Sequence, residues 1–205
     1  MIKNIIFDIG NVILNFNIDR VLNEFSDSKD EQEFIKKNII ESPEWLGNAL
    51  IDTGYLTRDD AIKIVQDRTN HSNDKLIIDF WKNYNKFAKI DERVLNLIKK
   101  LKNNNYRIYL LSNINPYTHE LVNKSGLFEI VDGYVLSYKE HMIKPYKSIY
   151  NTLLKRYNLK PEESVFIDDN EKNIITGNLL GIISKKVEPD NYDSIINVVK
   201  ELKLI

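Results

Sequence analysis

The 205-residue sequence contains no cysteine, which excludes disulfide frameworks, cysteine-ligated zinc and a thiolate nucleophile. Its three histidines, His71, His119 and His141, show no ligand spacing, which argues against an imidazole metal site. Charge of one sign is not in excess either: 29 Lys plus Arg face 30 Asp plus Glu, for a formal net charge of -1. A sequence-indifferent nucleic-acid binder draws its affinity from clustered cations on phosphates, and this well-mixed chain has no such cluster. No apolar run approaches the roughly 18 residues of a membrane-crossing helix. The apolar N-terminal stretch is interrupted by Asp8 and Asn11 and lacks a basic leader or a small-residue cleavage site, so no signal peptide is expected. Internal repeats and low-complexity linkers are missing as well. A cytoplasmic protein is the expectation, monomer or homodimer, with no nucleic-acid or membrane partner.

What the chain does have is a set of short apolar runs, each followed by polar residues. Ile5-Ile6-Phe7 ends in Asp8, Ile108 to Leu111 ends in Ser112-Asn113, and Val165 to Ile167 ends in Asp168-Asp169. Gly133 to Leu136 and Gly181 to Ile183 are weaker versions. Continuous apolar runs closed by turn signals fit strands buried on both faces. Amphipathic patterns alternate with them over 92–103, 117–124, 145–157 and 190–202, and Pro116 and Pro145 are placed as first-turn prolines. This alternation predicts an α/β fold with a doubly wound parallel sheet.

The segment 16–88 breaks the alternation. It shows no convincing strand and reads as helices over 20–25, 29–40, 43–51, 57–69 and 74–84. A strand-to-strand crossover needs only about a dozen residues. The expectation is therefore a helical domain, 16–88, inserted after the first strand of an α/β core made of 1–15 and 89–205. Trp45, Tyr55, Trp81 and Tyr84 are read as the core of that insertion in preference to a substrate pocket, and Arg20 and Glu44 are weaker pocket candidates.

In an open parallel sheet, ligands bind beyond the carboxyl ends of the strands. There the predicted strands present Asp8, Ser112-Asn113 and Asp168-Asp169, with Lys144 just before the Pro145 helix. Oxygen donors with two or three carboxylates suit magnesium, which shares its coordination with substrate phosphate. Lysine, serine and helix N-terminal N–H groups suit phosphoryl oxygens. A carboxylate left over to attack phosphorus gives an aspartyl-phosphate.

Four segments, in order, resemble the motifs of the haloacid dehalogenase (HAD) superfamily, most of whose members are phosphatases. They are Phe7-Asp8-Ile9-Gly10-Asn11-Val12-Ile13, Leu110-Leu111-Ser112-Asn113, Lys144-Pro145, and Val165-Phe166-Ile167-Asp168-Asp169-Asn170 with Asn173 following. The wording of the first two resembles the helically capped branch (subfamily IA) that includes α-glucose-1-phosphatases and the phosphatase domain of soluble epoxide hydrolases. The resemblance implies a Rossmann-like core under a helical cap, a magnesium cofactor and a small phosphorylated substrate, with a sugar phosphate as one candidate. It implies that Asp8 is the nucleophile and a metal ligand, and that the Gly10 carbonyl reaches the metal. Ser112 and Lys144 would hold the phosphoryl group, with Asn113 beside them as a backbone or amide donor and Gly10 and Asn11 on the substrate side. Asp169 would bind the metal directly or through water, with Asp168 next to it. Lys144 would also neutralise Asp8, which otherwise repels an anionic substrate.

One departure matters. The family's usual second Asp, two residues after the nucleophile, is Gly10 here, and general acid–base catalysis is worth ~10²–10⁴-fold. Of Asn11, Asn15 and Asp19 nearby, only Asp19 titrates. Two rival functions follow: a metal-independent 2-haloacid dehalogenase that uses the same aspartate on carbon, and a catalytically weak binding or regulatory member. Ser112 lacks the Gly-x-Ser-x-Gly elbow of serine hydrolases, and Gly177 to Gly181 is not a dinucleotide fingerprint.

Overall fold

The computed structural model describes residues 1–45 and 50–205. The first half runs β1 (Asn4–Phe7), β2 (Leu14–Asn15), α1 (Ile18–Phe25), α2 (Lys29–Ile35), α3 (Arg58–Arg68), α4 (Asp74–Asn83) and β3 (Lys89–Ile90). It continues through α5 (Glu92–Asn103), β4 (Arg107–Ser112), α6 (Pro116–Asn123), α7 (Leu127–Ile130), β5 (Gly133–Leu136) and α8 (Ser137–Glu140). The chain closes with α9 (Lys147–Arg156), β6 (Ser164–Asp168), α10 (Glu171–Leu179), β7 (Ile183–Lys186) and α11 (Tyr192–Glu201). No helix among the described residues is long and apolar enough to cross a membrane.

Five strands pair in parallel in the order β5-β4-β1-β6-β7. Alternation along each strand divides the core in two. Ile5, Phe7, Leu110 and Ile167 face one way and pack with Ile98 of α5 and Val199 of α11. Ile6, Tyr109, Leu111 and Phe166 face the other way, onto Tyr150 and Leu153 of α9 and Ile174 of α10. Burial of both faces explains why these strands are continuous apolar runs. Phe7 is level with Leu110 and Ile167, so Asp8, Ser112 and Asp168 leave the sheet at one edge.

Helices α1 to α4 share an apolar cluster of their own, which includes Ile35, Val65, Phe80, Trp81 and Tyr84. Trp45 lies at its centre, with ring centroids 5.2 Å from Trp81 and 4.9 Å from Tyr84. Tyr55 is different: it is 69% exposed and stacks on His141. The chain enters and leaves this helical segment side by side, through the antiparallel β2–β3 pair. Arg20 spans both connections, its Nη2 donating to the Asn15 carbonyl at 3.2 Å and to the Phe87 carbonyl at 3.1 Å.

Several expected boundaries move. The helix expected over 29–40 is α2 followed by a π-helical turn, Lys36–Ile40. The helix expected over 43–51 falls in part on 46–49, outside the described residues, and its flanks are turns. Pro145 does not start α9: it sits in a turn closed by Tyr146 N donating to the Ile143 carbonyl at 3.1 Å, and the helix begins at Lys147. The last strand starts at Ile183, not Gly181, because Gly181 adopts φ +83° to end the turn after α10. β7 is an edge strand, so its Ser-Lys-Lys sequence carries no apolar run to announce it.

Thr57 opens α3 with a reciprocal cap. Its Oγ1 accepts from Asp60 N at 3.1 Å, and Asp60 Oδ2 accepts from Thr57 N at 2.9 Å. Thr57→Ala should therefore lower stability by about 1 kcal/mol, read as a lower urea midpoint with unchanged slope. An unchanged midpoint would contradict the cap's contribution.

Candidate active site

Asp8 follows β1, Asp168 ends β6, and Lys144 enters between them from the turn before α9. Lys144 Nζ lies 2.9 Å from Asp8 Oδ1 and 2.6 Å from Asp168 Oδ2. Only 3% of Lys144 is exposed. A buried ammonium persists only where opposite charges meet it. Asp8 Oδ1 also accepts from Ile9 N at 2.7 Å.

Asp168 is saturated by protein. It accepts from Lys144 Nζ, from Asn170 N at 2.7 Å, and from Asn173 Nδ2 at 3.0 Å on each oxygen. That fills the roughly four acceptor sites of a carboxylate. Asn173 is fixed in turn by Tyr150, whose hydroxyl donates to the Asn173 carbonyl at 3.0 Å. Asp169 accepts from Asn11 Nδ2 at 3.0 Å on Oδ2. One oxygen from each of Asp8, Asp168 and Asp169 lies within 4.8 Å of the others. Three carboxylates this close, against one ammonium, call for a cation, and an all-oxygen donor set is the kind magnesium prefers.

The electrostatics agree. Burial pushes Asp8 up to about 7, partly offset by Lys144 and reinforced by the charges of Asp168 and Asp169. Burial also raises Asp169, against the Asn11 hydrogen bond. Burial alone would lower Lys144, but the charges of Asp168 and Asp8 outweigh it and hold the ammonium above its usual value.

The site opens into a cavity of about 650 Å³, whose floor includes Asp8, Gly10, Asn11, Ser112, Lys144 and Asp169. Phe16, Trp45 and Tyr84 face it from the helical segment. Asp168 is not part of the wall; its oxygens are turned to Lys144, Asn170 and Asn173. A Cβ placed on Gly10 would meet no atom within 4 Å, so the cavity stays open at that point. The remaining candidates fall elsewhere. Trp81 is packed inside the aromatic cluster and Asp19 is exposed. Arg20 holds the connections, and Glu44 pairs with Arg68 at 3.0 Å.

Two side-chain amides at the site are engaged by neighbouring residues. Of the backbone or amide donation expected of Asn113, the side-chain amide is spent on the Lys144 peptide: Nδ2 donates to the Lys144 carbonyl at 3.0 Å and Oδ1 accepts from Lys144 N at 2.8 Å. The turn before α9 brings that peptide alongside, which spacing in sequence does not reveal. Asn11, with φ 55°, turns its amide to Asp169. Ser137, at the junction of β5 and α8, escapes sequence reading altogether. Its Oγ accepts from Ile114 N at 2.8 Å and donates to the Asp52 carbonyl at 2.5 Å.

A model of the haloacid dehalogenase-like hydrolases matches residues 2–181. The chain is 28% identical over 209 residues to a protein of Bacteroides thetaiotaomicron named D-ribitol-5-phosphate phosphatase, covering 93% of both. A HAD family enzyme from Bacteroides thetaiotaomicron, solved in complex with magnesium and inorganic phosphate, superposes with a TM-score of 0.75. The two are 26% identical, and the match covers 96% of this chain and 99% of that one. A HAD-like family hydrolase from Porphyromonas gingivalis shares the fold, with a TM-score of 0.78 at 23% identity over 99% and 98% of the two chains.

Asp8 titrates near 7 when folded and at 3.8 as a free carboxyl. The folded state thus binds a proton that the unfolded state releases across that window, and metal-free stability falls as pH rises through it. In chelator, the urea midpoint of the wild type should drop between pH ~5 and ~8, and Asp8→Asn should flatten the decline. Identical declines in the two proteins would contradict the assignment to Asp8.

Proposed function

The chain belongs to the haloacid dehalogenase-like hydrolase family, and from that premise we propose that it is a magnesium-dependent phosphatase of a small phosphorylated metabolite of the sugar-phosphate kind. The observation that carries this reading is the buried Lys144, bound to Asp8 and Asp168, with Asp169 at the same edge. The ribitol-5-phosphate phosphatase relative and the magnesium- and phosphate-bound neighbour support it. Convergence of three carboxylates weighs against the metal-independent dehalogenase.

In this mechanism Asp8 attacks phosphorus in line and the alcohol leaves, giving an aspartyl-phosphate that water then hydrolyses. Lys144 neutralises the approaching charges in a site of low dielectric. Asn113 holds the Lys144 peptide, and Asp168 holds its ammonium. The Ser112 hydroxyl donates to a phosphoryl oxygen. Asp8, Asp169 and the Gly10 carbonyl would hold magnesium, with Asp168 behind them. Bound there, the metal supplies positive charge to the phosphoryl oxygens. Gly10 has no proton to give, so the departing oxygen takes one from water admitted at the open wall beside it. Segment 16–88 serves as a cap that excludes bulk water and contacts the leaving group. The proposed setting is the cytoplasm, with a small molecule as the required partner.

Asp8→Asn should cut magnesium-dependent turnover of p-nitrophenyl phosphate by at least about a thousandfold while the circular dichroism spectrum is kept. Chelator should silence the wild type, and added magnesium should restore it. Full activity in Asp8→Asn, or chelator-insensitive halide release from 2-chloropropionate, would overturn the proposal.

A further inference from the structure

We infer that Asp190 is a positioning residue that sets the aromatic wall of the cavity against the leaving group; this rests on the phosphatase reading above. Asp190 belongs to the short connection between β7 and α11, at the carboxyl edge of the sheet but outside the cavity wall. From there it grips both ends of the loop that leads from Asp8 to the helical segment. Its N–H donates to the Asn11 carbonyl at 2.7 Å, and its Oδ1 accepts from Phe16 N at 3.3 Å. Asn11, Leu14 and Phe16 all line the cavity. Asn11 holds Asp169 on the phosphoryl side. Phe16 stands on the side of the helical segment, with ring centroids 6.4 Å from Trp45 and 6.0 Å from Tyr84. One residue, 174 positions from Phe16 in sequence, thus fixes the span between the two sides.

The grip is firm at its root. Val187 is buried in the core, and its N–H donates to the Asp168 carbonyl at 3.1 Å. Glu188 N donates to Ser194 Oγ at 3.0 Å, and Asn191 Oδ1 caps α11 by accepting from Ser194 N at 3.1 Å. The connection that carries Asp190 is therefore tied to the sheet at one end and to a helix at the other. The Phe16 N–H lies just past the two-residue β2, and a half-buried N–H of this kind needs an acceptor. Asp190 supplies a charged one, which binds more strongly than a neutral oxygen. Its own backbone is left-handed, with φ 55°, a conformation that Asp, Asn and Gly adopt with least strain. A group that orients substrate can cost up to ~10²-fold in rate when it is displaced by about 1 Å. Asp190 holds Phe16 against such a displacement without touching the cavity itself.

The test compares two compounds with the magnesium-loaded protein. p-Nitrophenyl phosphate has an aromatic leaving group suited to the wall of Phe16, Trp45 and Tyr84. Acetyl phosphate releases a two-carbon acid that offers this wall little surface. Asp190→Gly keeps the left-handed backbone and the bond to Asn11 but removes the acceptor for Phe16. In that variant the ratio of kcat/KM for the aryl ester to kcat/KM for acetyl phosphate should fall at least about fivefold, chiefly through KM of the aryl ester. A merely structural role would lower both compounds alike. An unchanged ratio, or equal losses on the two, overturns the inference and leaves the phosphatase standing. No turnover of either compound by the wild type overturns both. Asp190→Asn keeps an acceptor and should bring the ratio back to within about twofold of the wild type; a ratio as low as in Asp190→Gly would overturn the acceptor role. Should Asp190→Gly not fold, Asp190→Ala, which also lacks the acceptor but restricts the backbone, carries the same test with the same meanings.

Discussion

Lys144 carries its positive charge into a largely buried place at the base of the cavity, and two carboxylates meet it there. A buried pair of this kind adds little to stability compared with an apolar core, but removing one partner strands the other at a cost of about 3–5 kcal/mol. The surroundings are arranged accordingly. Asn113 holds the Lys144 peptide, Asn173 and Asn170 hold Asp168, and Tyr150 holds Asn173. The ammonium settles the division of labour among the carboxylates. Asp168 is committed to Lys144 and turned from the cavity, which leaves Asp8 and Asp169 to face it.

The parallel sheet makes this gathering possible. Asp8 and Asp168 are far apart in sequence, but β1 and β6 are neighbours in register, so both emerge at one level. β4 delivers Ser112 from the other side of β1. The helical segment leaves and returns through the β2–β3 pair, directly beyond Asp8, with Arg20 holding the two connections together. A second set of ties, through Ser137 and Asn115, joins Asp52 to the segment after Ser112. The wall of the cavity is thereby built from both parts of the chain.

Much of this was legible in the residues themselves. Ile5 to Phe7, Ile108 to Leu111 and Val165 to Ile167 announce buried strands because neither face admits a polar side chain, and the polar residues that follow mark the functional edge. The partners of individual side chains were not legible. Asn113 turns to Lys144, and Asn11 to Asp169, because of loop conformations that spacing does not encode. Ser137 and Asp52 carry no motif; they matter because α8 and the 50–56 loop meet in three dimensions. β7 was blurred by its edge position, and α7 and α8 are too short to show a period.

The central claim is that Asp8 attacks phosphorus and that water then returns to phosphorus, leaving the carboxyl group of Asp8 intact. Attack by the same residue on carbon would instead form an ester, which water opens at the carboxyl carbon. A single turnover in water labelled with heavy oxygen separates the two, with mass spectrometry of the released phosphate and of the peptide containing Asp8. The label is expected in phosphate and absent from Asp8. Label in the Asp8 carboxyl group would contradict the account.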